Sequence, residues 1–583
     1  MTTDASPSRS FHHPLDAVLK GWIGRATHGT SPAAITAALE DWLIHLGFSP
    51  GKQATLIESA LRKQLLWLLC VRDSMLDPTA QSCAEIQRDK RFAPPQWDRH
   101  PFDWQAQAFL LIQQWWHEAT TGVRGVSMHH EQVTEFVVRQ WLDMWSPSNF
   151  VATNPQVLEE TWNTGGRNLV QGLSNWWRDA VAVCTDGAPA GVEQFKPGRS
   201  VAITPGKVVF RNRLIELIRY DPATPSVHPE PVLLAPAWIM KFYILDLSPQ
   251  NSLVRYLVGQ GHTVFMISWK NPDASDRDLC LNDYLELGVL TALREVSARC
   301  PDVGVHGVGY CLGGTLLAMA AAALARSSAT PLKTLTLLAA QIDFEEPGEL
   351  GLFIDESQVA FLEDLMAERG CLDGRQMAGA FALINSKDLV WSKLVHEYLM
   401  GNRTPLTDLR AWNADATRMP QRMHSEYLRR LYLHNELAEG CYEVQGRPVA
   451  VQDIRLPLFV VATERDHVSP WRSVYKVHLL TDGDLQFVLS SGGHNVGIVN
   501  PPEGEAAHPH ASHRVAIREA DAPYRDPQAW YDSAELRPGS WWPTWQRWLA
   551  EHSGPQVPVE RLEREATGER LLGDAPGSYV HQI

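Results

Sequence analysis

Gly309-Tyr310-Cys311-Leu312-Gly313 sets one thiol between two glycines, after the apolar run "VGVHGV" and before "TLLAMAAAALA". The first run reads as a strand and the second as a helix, so the five residues form the sharp turn between them. That is a nucleophile elbow carrying Cys in place of Ser. Such a turn strains the backbone at the nucleophile and draws strand and helix together, which requires flanking residues without a Cβ. The helix N-terminus is expected to lower the thiol pKa, and the Leu312 amide to point where an oxyanion would form. A dinucleotide-binding reading of Gly307-Val308-Gly309 fails, because the third required glycine position is Leu312. The bland alternative is a small cysteine buried at a tight turn.

An elbow calls for an acid and then a histidine further along, each just after a later strand. "LFVVATERDHVSPW" ends a strand with Asp466, and "LQFVLSSGGHNVGIVNPP" ends the next with His494. Glu464 and His467 are rivals for the same roles. Asp466 would orient the His494 imidazole, which would take the Cys311 proton. His129-His130 and the trio His508, His510 and His513 lack metalloenzyme spacing and read as surface residues.

These side chains need a scaffold that brings distant strand ends together. "PVLLAPAW", "HTVFMISW", "VGVHGVGY", "LKTLTLLAA", "LPLFVVATERD" and "LQFVLSSGGH" read as buried strands separated mostly by helical segments, the pattern of a parallel sheet covered on both faces. Over a hundred residues between the fourth and fifth of these are too long for a connection, so a cap insertion is expected over about 342–453. Residues 1–190 read as helices, with a Ser cap opening "SPAAITAALEDWLIHLGF". A Gly/Pro-rich boundary separates them from a domain over 191–583. Twelve of the 22 tryptophans lie in the helical part, which suggests an aromatic core or interface before a partner surface.

At 583 residues, 44% hydrophobic and 20% charged, the chain is globular and long enough for two domains. A formal charge of -15 argues against nucleic acid as a partner. The start of the sequence has no apolar signal core, and the longest low-polarity run, Leu316 to Ala325, is about half a membrane span. A cytoplasmic chain without a transmembrane segment is therefore expected. The eight cysteines show no CxxC pair, so no disulfide framework or zinc site is expected, and most should be reduced and buried.

The chain resembles the single-subunit (class I and II) polyhydroxyalkanoate synthases. The resemblance is carried by "KFYILDLSPQNSLVRYLVGQGHTVFMISWKNPD", "GYCLGG", "LFIDE", "YLMGN", "DLRAWNADAT", "LRRLYLHNEL", "RDHVSPW", "GGHNVGIVNPP" and "GSWWPTWQRWL", in family order over most of the chain. It implies an α/β-hydrolase-type, mostly parallel sheet with an inserted cap, preceded by an α-helical N-terminal domain. It also implies a cytoplasmic homodimer at the surface of a polyester granule, polymerising 3-hydroxyacyl-CoA with no cofactor beyond the CoA thioester substrate. Cys311, Asp466 and His494 fall on the family's catalytic positions, and the second oxyanion amide falls at Ile239. Two departures stand out: Met240 where the family usually has Asn, and "INSKDLVWSKLV" in a block of the expected cap. The rival readings are a Cys-dependent thioesterase or esterase on the same scaffold, and a non-catalytic granule-coating protein using the Trp-rich half.

Overall fold

The computed structural model describes residues 29–583 except 77–88, 186, 188, 327–329, 375, 377–378, 380–385 and 561–570, and before them 23, 24 and 27. The chain divides into two compact units. Thr30–Ala190 with Gly379–Pro405 form one; Gly191–Ala378 with Leu406–Ile583, and the described residues before Thr30, form the other. The stretch 342–453, expected as a single insertion, is thus shared between them, and part of it lies outside the described residues.

The larger unit is built on ten strands: β1 (Gly206–Arg211), β2 (Ile215–Tyr220), β3 (Val232–Ala235), β4 (Val264–Trp269), β5 (Val305–Tyr310), β6 (Leu332–Leu338), β7 (Leu458–Thr463), β8 (Leu485–Ser490), β9 (Ser512–Arg518) and β10 (Glu535–Pro538). They lie in the order β1-β2-β4-β3-β5-β6-β7-β8-β9-β10. The six central strands, β3 to β8, run parallel. All six coincide with the apolar runs of the sequence, and β3, β4, β5 and β7 are buried at every residue because both faces of the sheet are covered. The flanking strands pair antiparallel. β9 and β10 are half exposed and carry Arg514, Arg518, Glu535 and Arg537, charges that discourage further pairing at this edge. The direction of winding reverses between β3 and β5, and the crevice beyond their carboxyl ends is where such sheets bind ligands.

The smaller unit contains helices α1 (Pro32–Gly47), α2 (Pro50–Leu76), α3 (Phe102–Thr120), α4 (Met128–Met144), α5 (Pro155–Thr164) and α6 (Arg167–Cys184). Ser31 caps α1 through its hydroxyl, accepting from the Ala34 amide at 3.4 Å, with Pro32 as first residue. Against α6 lies the distant segment that includes the π-helical turn Leu394–Leu399. Helix ends leave carbonyls without intrahelical donors. Here Asn168 Nδ2 donates to Leu399 O at 2.9 Å, and Asn175 Nδ2 to Glu397 O at 3.0 Å. A Cβ on Gly172 would lie 1.8 Å from the Tyr398 carbonyl oxygen, so this backbone approach tolerates no side chain. Asp179 accepts from Tyr398 Oη at 2.8 Å and pairs with Lys393 at 2.7 Å and Arg403 at 2.6 Å. Burial works against its charge, but Arg403, Lys393 and Tyr398 bring its pKa down to about 2. The departing block "INSKDLVWSKLV" supplies that Lys393, so at least this part of it docks on α6.

The tryptophans correct the expectation of a core or interface role in part: Trp42 and Trp97 are buried, whereas Trp141, Trp145, Trp162, Trp176 and Trp177 are exposed. The cysteine expectation is corrected in part. Cys70 on α2 is disulfide-bonded, whereas Cys184, Cys280, Cys300, Cys311, Cys371 and Cys441 are free thiols. Cys184 and Cys441 are exposed, while Cys300, Cys311 and Cys371 are buried. His513, read as a surface residue, is buried at the end of the sheet, with its ring nitrogens 3.1 Å from Gly539 O and from Thr544 Oγ1. His508 and His510 are exposed. No cluster of metal-ligating side chains occurs among the described residues, and no described helix is long and apolar enough to cross a membrane.

Three buried histidines give the fold an acid sensitivity. His262, His306 and His424 are almost wholly inaccessible. Burial lowers their pKa values to about 3, about 4 and about 4. His262 stacks on His228, and both its ring nitrogens lack a hydrogen-bond partner among the described residues. Below the ordinary histidine value of about 6.5 the unfolded chain takes up protons that the folded chain refuses, so stability present above that pH falls as pH drops toward 4. Each histidine then costs about 2 kcal/mol at pH 5, from about 1.4 kcal/mol per pH unit. Urea titrations at pH 7.5 and 5 should show this loss, and His262→Phe should reduce the proton uptake on unfolding by about one. An unchanged uptake would place the acid sensitivity elsewhere.

Candidate active site

Cys311 stands at φ 52°, ψ −127°, a conformation a residue with a Cβ adopts only under strain. The strain is imposed from both sides. Its amide donates to Leu338 O on β6 at 2.8 Å, and its carbonyl already accepts from Gly314 at 2.8 Å as α7 (Leu312–Ala325) begins. A Cβ on Gly309 would lie 2.3 Å from Gly314 Cα, and one on Gly313 2.1 Å from the Ala235 carbonyl oxygen at the end of β3. The two flanking glycines therefore let strand, helix and neighbouring strand end converge on the thiol. Leu312 is the first residue of α7, where an amide has no carbonyl four residues back to donate to.

The other expected residues come to the same end of the sheet. Asp466 follows β7 and His494 follows β8. The loops that carry them are tied together by Glu464 N to Ser490 O at 3.0 Å and Arg465 N to Gly492 O at 2.8 Å. Asp466 is buried and its Oδ2 lies 2.8 Å from His494 Nδ1. Its Oδ1 accepts from the Val468 and Ser469 amides at 2.9 and 2.8 Å, and Oδ2 also from Thr463 Oγ1 at 3.0 Å. Burial alone would raise the Asp466 pKa, but His494 and the two amides hold it below the ordinary value. An ionised carboxylate only accepts, so His494 Nδ1 carries the proton in this contact. Burial opposes a charge on His494, yet Asp466, together with a hydrogen bond involving the Cys311 side chain, pushes its pKa well above the ordinary value. The rivals Glu464 and His467 are exposed; neither occupies the position beside His494.

Ile239 lies in the loop after β3, half-buried, with Met240 bridged to Ala416. Aromatic groups with no local sequence signal lie beside these residues. Tyr310, one residue before the thiol, donates its hydroxyl to Asn495 Oδ1 at 2.6 Å, and its ring centre is 5.7 Å from that of His494. From the inserted segment, Tyr427 donates to Tyr432 Oη at 3.0 Å. Burial pushes both phenols up, and the nearby Cys311 charge adds to the effect. These tyrosines are five apart on the π-helical turn Tyr427–Leu433, where a wider turn brings i and i+5 to one side. A 3.6-residue rhythm would set them apart, which is why the pairing was not legible.

The comparisons with known proteins place the chain in a family and a fold. Residues 88–257 match the family model described as poly-beta-hydroxybutyrate polymerase (PhaC) N-terminus, residues 10–52 match the poly-beta-hydroxybutyrate polymerase N terminal model, and residues 230–501 match the alpha/beta hydrolase fold. The chain is 40% identical over 498 residues to a poly(3-hydroxyalkanoate) polymerase of Methylorubrum extorquens, covering 84% of this chain and 80% of that one. It is 34% identical over 569 residues to the poly(3-hydroxyalkanoate) polymerase subunit PhaC of Cupriavidus necator, covering 96% and 93%. With an α/β-hydrolase sheet and this similarity along most of its length, the chain belongs to the poly(3-hydroxyalkanoate) polymerase family.

Proposed function

We propose that the chain polymerises 3-hydroxyacyl-CoA into polyester through an acyl group carried on Cys311. The observation that carries the reading is the single imidazole of His494 joined on one side to buried Asp466 and on the other to the strained thiol. His494 takes the Cys311 proton, and the thiolate attacks the acyl carbonyl carbon. The resulting oxyanion is held by the amides of Leu312 and Ile239, and collapse breaks the bond to CoA sulfur, the CoA thiolate leaving with the imidazolium proton. The hydroxyl oxygen of another 3-hydroxyacyl unit then attacks the enzyme thioester, its proton passes to His494, and the Cys311 thiolate departs as the ester forms.

Cysteine suits this sequence. The acyl-enzyme stays a thioester, nearly isoenergetic with the CoA thioester, and its leaving thiol has a pKa of about 8.5, far below that of an alcohol. A serine enzyme would already have fallen to the ester level. The side chains and the CoA thioester supply every group that these steps use.

The exposed stripe Leu61, Leu65 and Leu68 on α2, with Leu173 and Trp177 on α6, supports contact with an apolar polyester surface or a second subunit. On this reading the protein works as a homodimer at cytoplasmic granules. Purified protein given 3-hydroxyacyl-CoAs of graded chain length should release CoA in step with polymer. Free hydroxy acid as the main product would make it a thioesterase, and no CoA release would leave it a granule-coating protein.

A further inference from the structure

We infer that Thr417, on the inserted segment, is a positioning residue that orients the peptide carrying the Ile239 amide toward the reacting carbonyl; this rests on Ile239 being an oxyanion donor. Thr417 Oγ1 donates to the Trp238 carbonyl at 2.7 Å, and Thr417 N donates to the Ile239 carbonyl at 3.2 Å. Both residues that contact each other here are inaccessible or nearly so: Thr417 is 1% exposed and Trp238 1%. The Trp238 carbonyl and the Ile239 N–H belong to one peptide unit, which is not among the cis bonds of the described residues. In a trans peptide these two groups point in opposite directions. Pinning the carbonyl onto Thr417 therefore aims the Ile239 N–H away from Thr417.

One residue thus fixes two successive peptide planes. A third is fixed nearby, where Trp412 Nε1 donates to Lys241 O at 2.7 Å. The other end of the loop is fixed by the elbow itself, since Gly313 packs against Ala235 and Pro236. A donor aimed in advance costs no reorganisation when charge develops, which is what makes an oxyanion hole effective. The inserted segment would accordingly set turnover through the loop it holds, without touching substrate.

The test compares Thr417→Val, which keeps shape but loses the hydroxyl, with Thr417→Ser, which keeps the hydroxyl. CoA release gives kcat and KM, and a trifluoromethyl ketone analogue of the CoA thioester, which forms an oxyanion adduct with the thiol, reports the hole directly. Thr417→Val should lower kcat roughly 10- to 100-fold with little change in KM and weaken the ketone by a similar factor, while Thr417→Ser recovers most of both. Should the Val variant not fold, Thr417→Ala against Thr417→Ser carries the same contrast. Equal losses with and without the hydroxyl, or a fall in kcat with ketone affinity intact, would overturn the proposal. Ile239→Pro and Ile239→Val separate it from its premise. If the two are equally active, the oxyanion assignment fails whatever Thr417 does; if only the Pro variant is crippled while Thr417→Val behaves as wild type, the clamp alone fails.

Discussion

Cys311→Ala abolishes CoA release, by a factor on the order of 10⁴ or more, because nothing else at the elbow can accept the acyl group. Among the described cysteines, the strained conformation, the approach of β3 through Gly313 and the bond to His494 concern Cys311. Cys280→Ala and Cys300→Ala should keep their turnover, since neither residue lies at the elbow. Cys311→Ser should also be nearly inactive. His494 would then have to deprotonate an alcohol far above its own pKa, and the ester formed would have lost the activation that chain transfer needs. Peptide mapping of acyl-enzyme trapped with labelled substrate decides the matter: an adduct on any other cysteine removes the assignment.

The second large effect separates His494 from Asp466. His494→Gln should block acylation itself, because the thiol loses the only base in contact with it among the described residues. Asp466→Asn is expected to acylate Cys311 slowly but to elongate very poorly. The reason is that the thiol is a comparatively acidic proton donor, whereas the attacking hydroxyl of the next unit is not. Removing its proton depends on how firmly Asp466 stabilises the imidazolium. Rapid-quench trapping resolves the two stages. Wild-type elongation in Asp466→Asn, or an equal loss in Glu464→Gln, would sink the assignment, and the exposure of Glu464 argues that its loss is mild.

The central sheet, and the convergence of Cys311, Asp466 and His494 at one end of it, were legible because each rests on a local rule. Continuous apolar runs mark strands covered on both faces, and glycines on either side of Cys311 mark a backbone that a Cβ would obstruct. Asp466 and His494 follow from strand ends taken in order. What escaped depends on contacts between residues far apart or on irregular turns. The strands at both edges of the sheet alternate or are charged, so they lack an apolar run. Tyr427 and Tyr432 meet only because the turn is π-helical. The Thr417 hydroxyl finds a carbonyl 179 positions earlier, and nothing in its neighbours announces that. The division of 342–453 between two units was hidden for the same reason: the partners of Leu394–Leu399 are asparagines on α6.

That last contact bears on how the chain is made. Asn168 and Asn175 emerge from the ribosome 231 and 222 residues ahead of the carbonyls they serve. At about 5–20 residues per second, the interval is roughly 10 to 45 s. Throughout it the face of α6 around Gly172 lacks the segment that packs on it, and the six strands of the sheet up to Leu338 are synthesised before that segment exists. The helical unit therefore cannot complete its folding in the order of translation. Until Arg403 has been added the unit is open to association with other nascent chains, so the supply of chaperones should influence the yield of correctly folded protein.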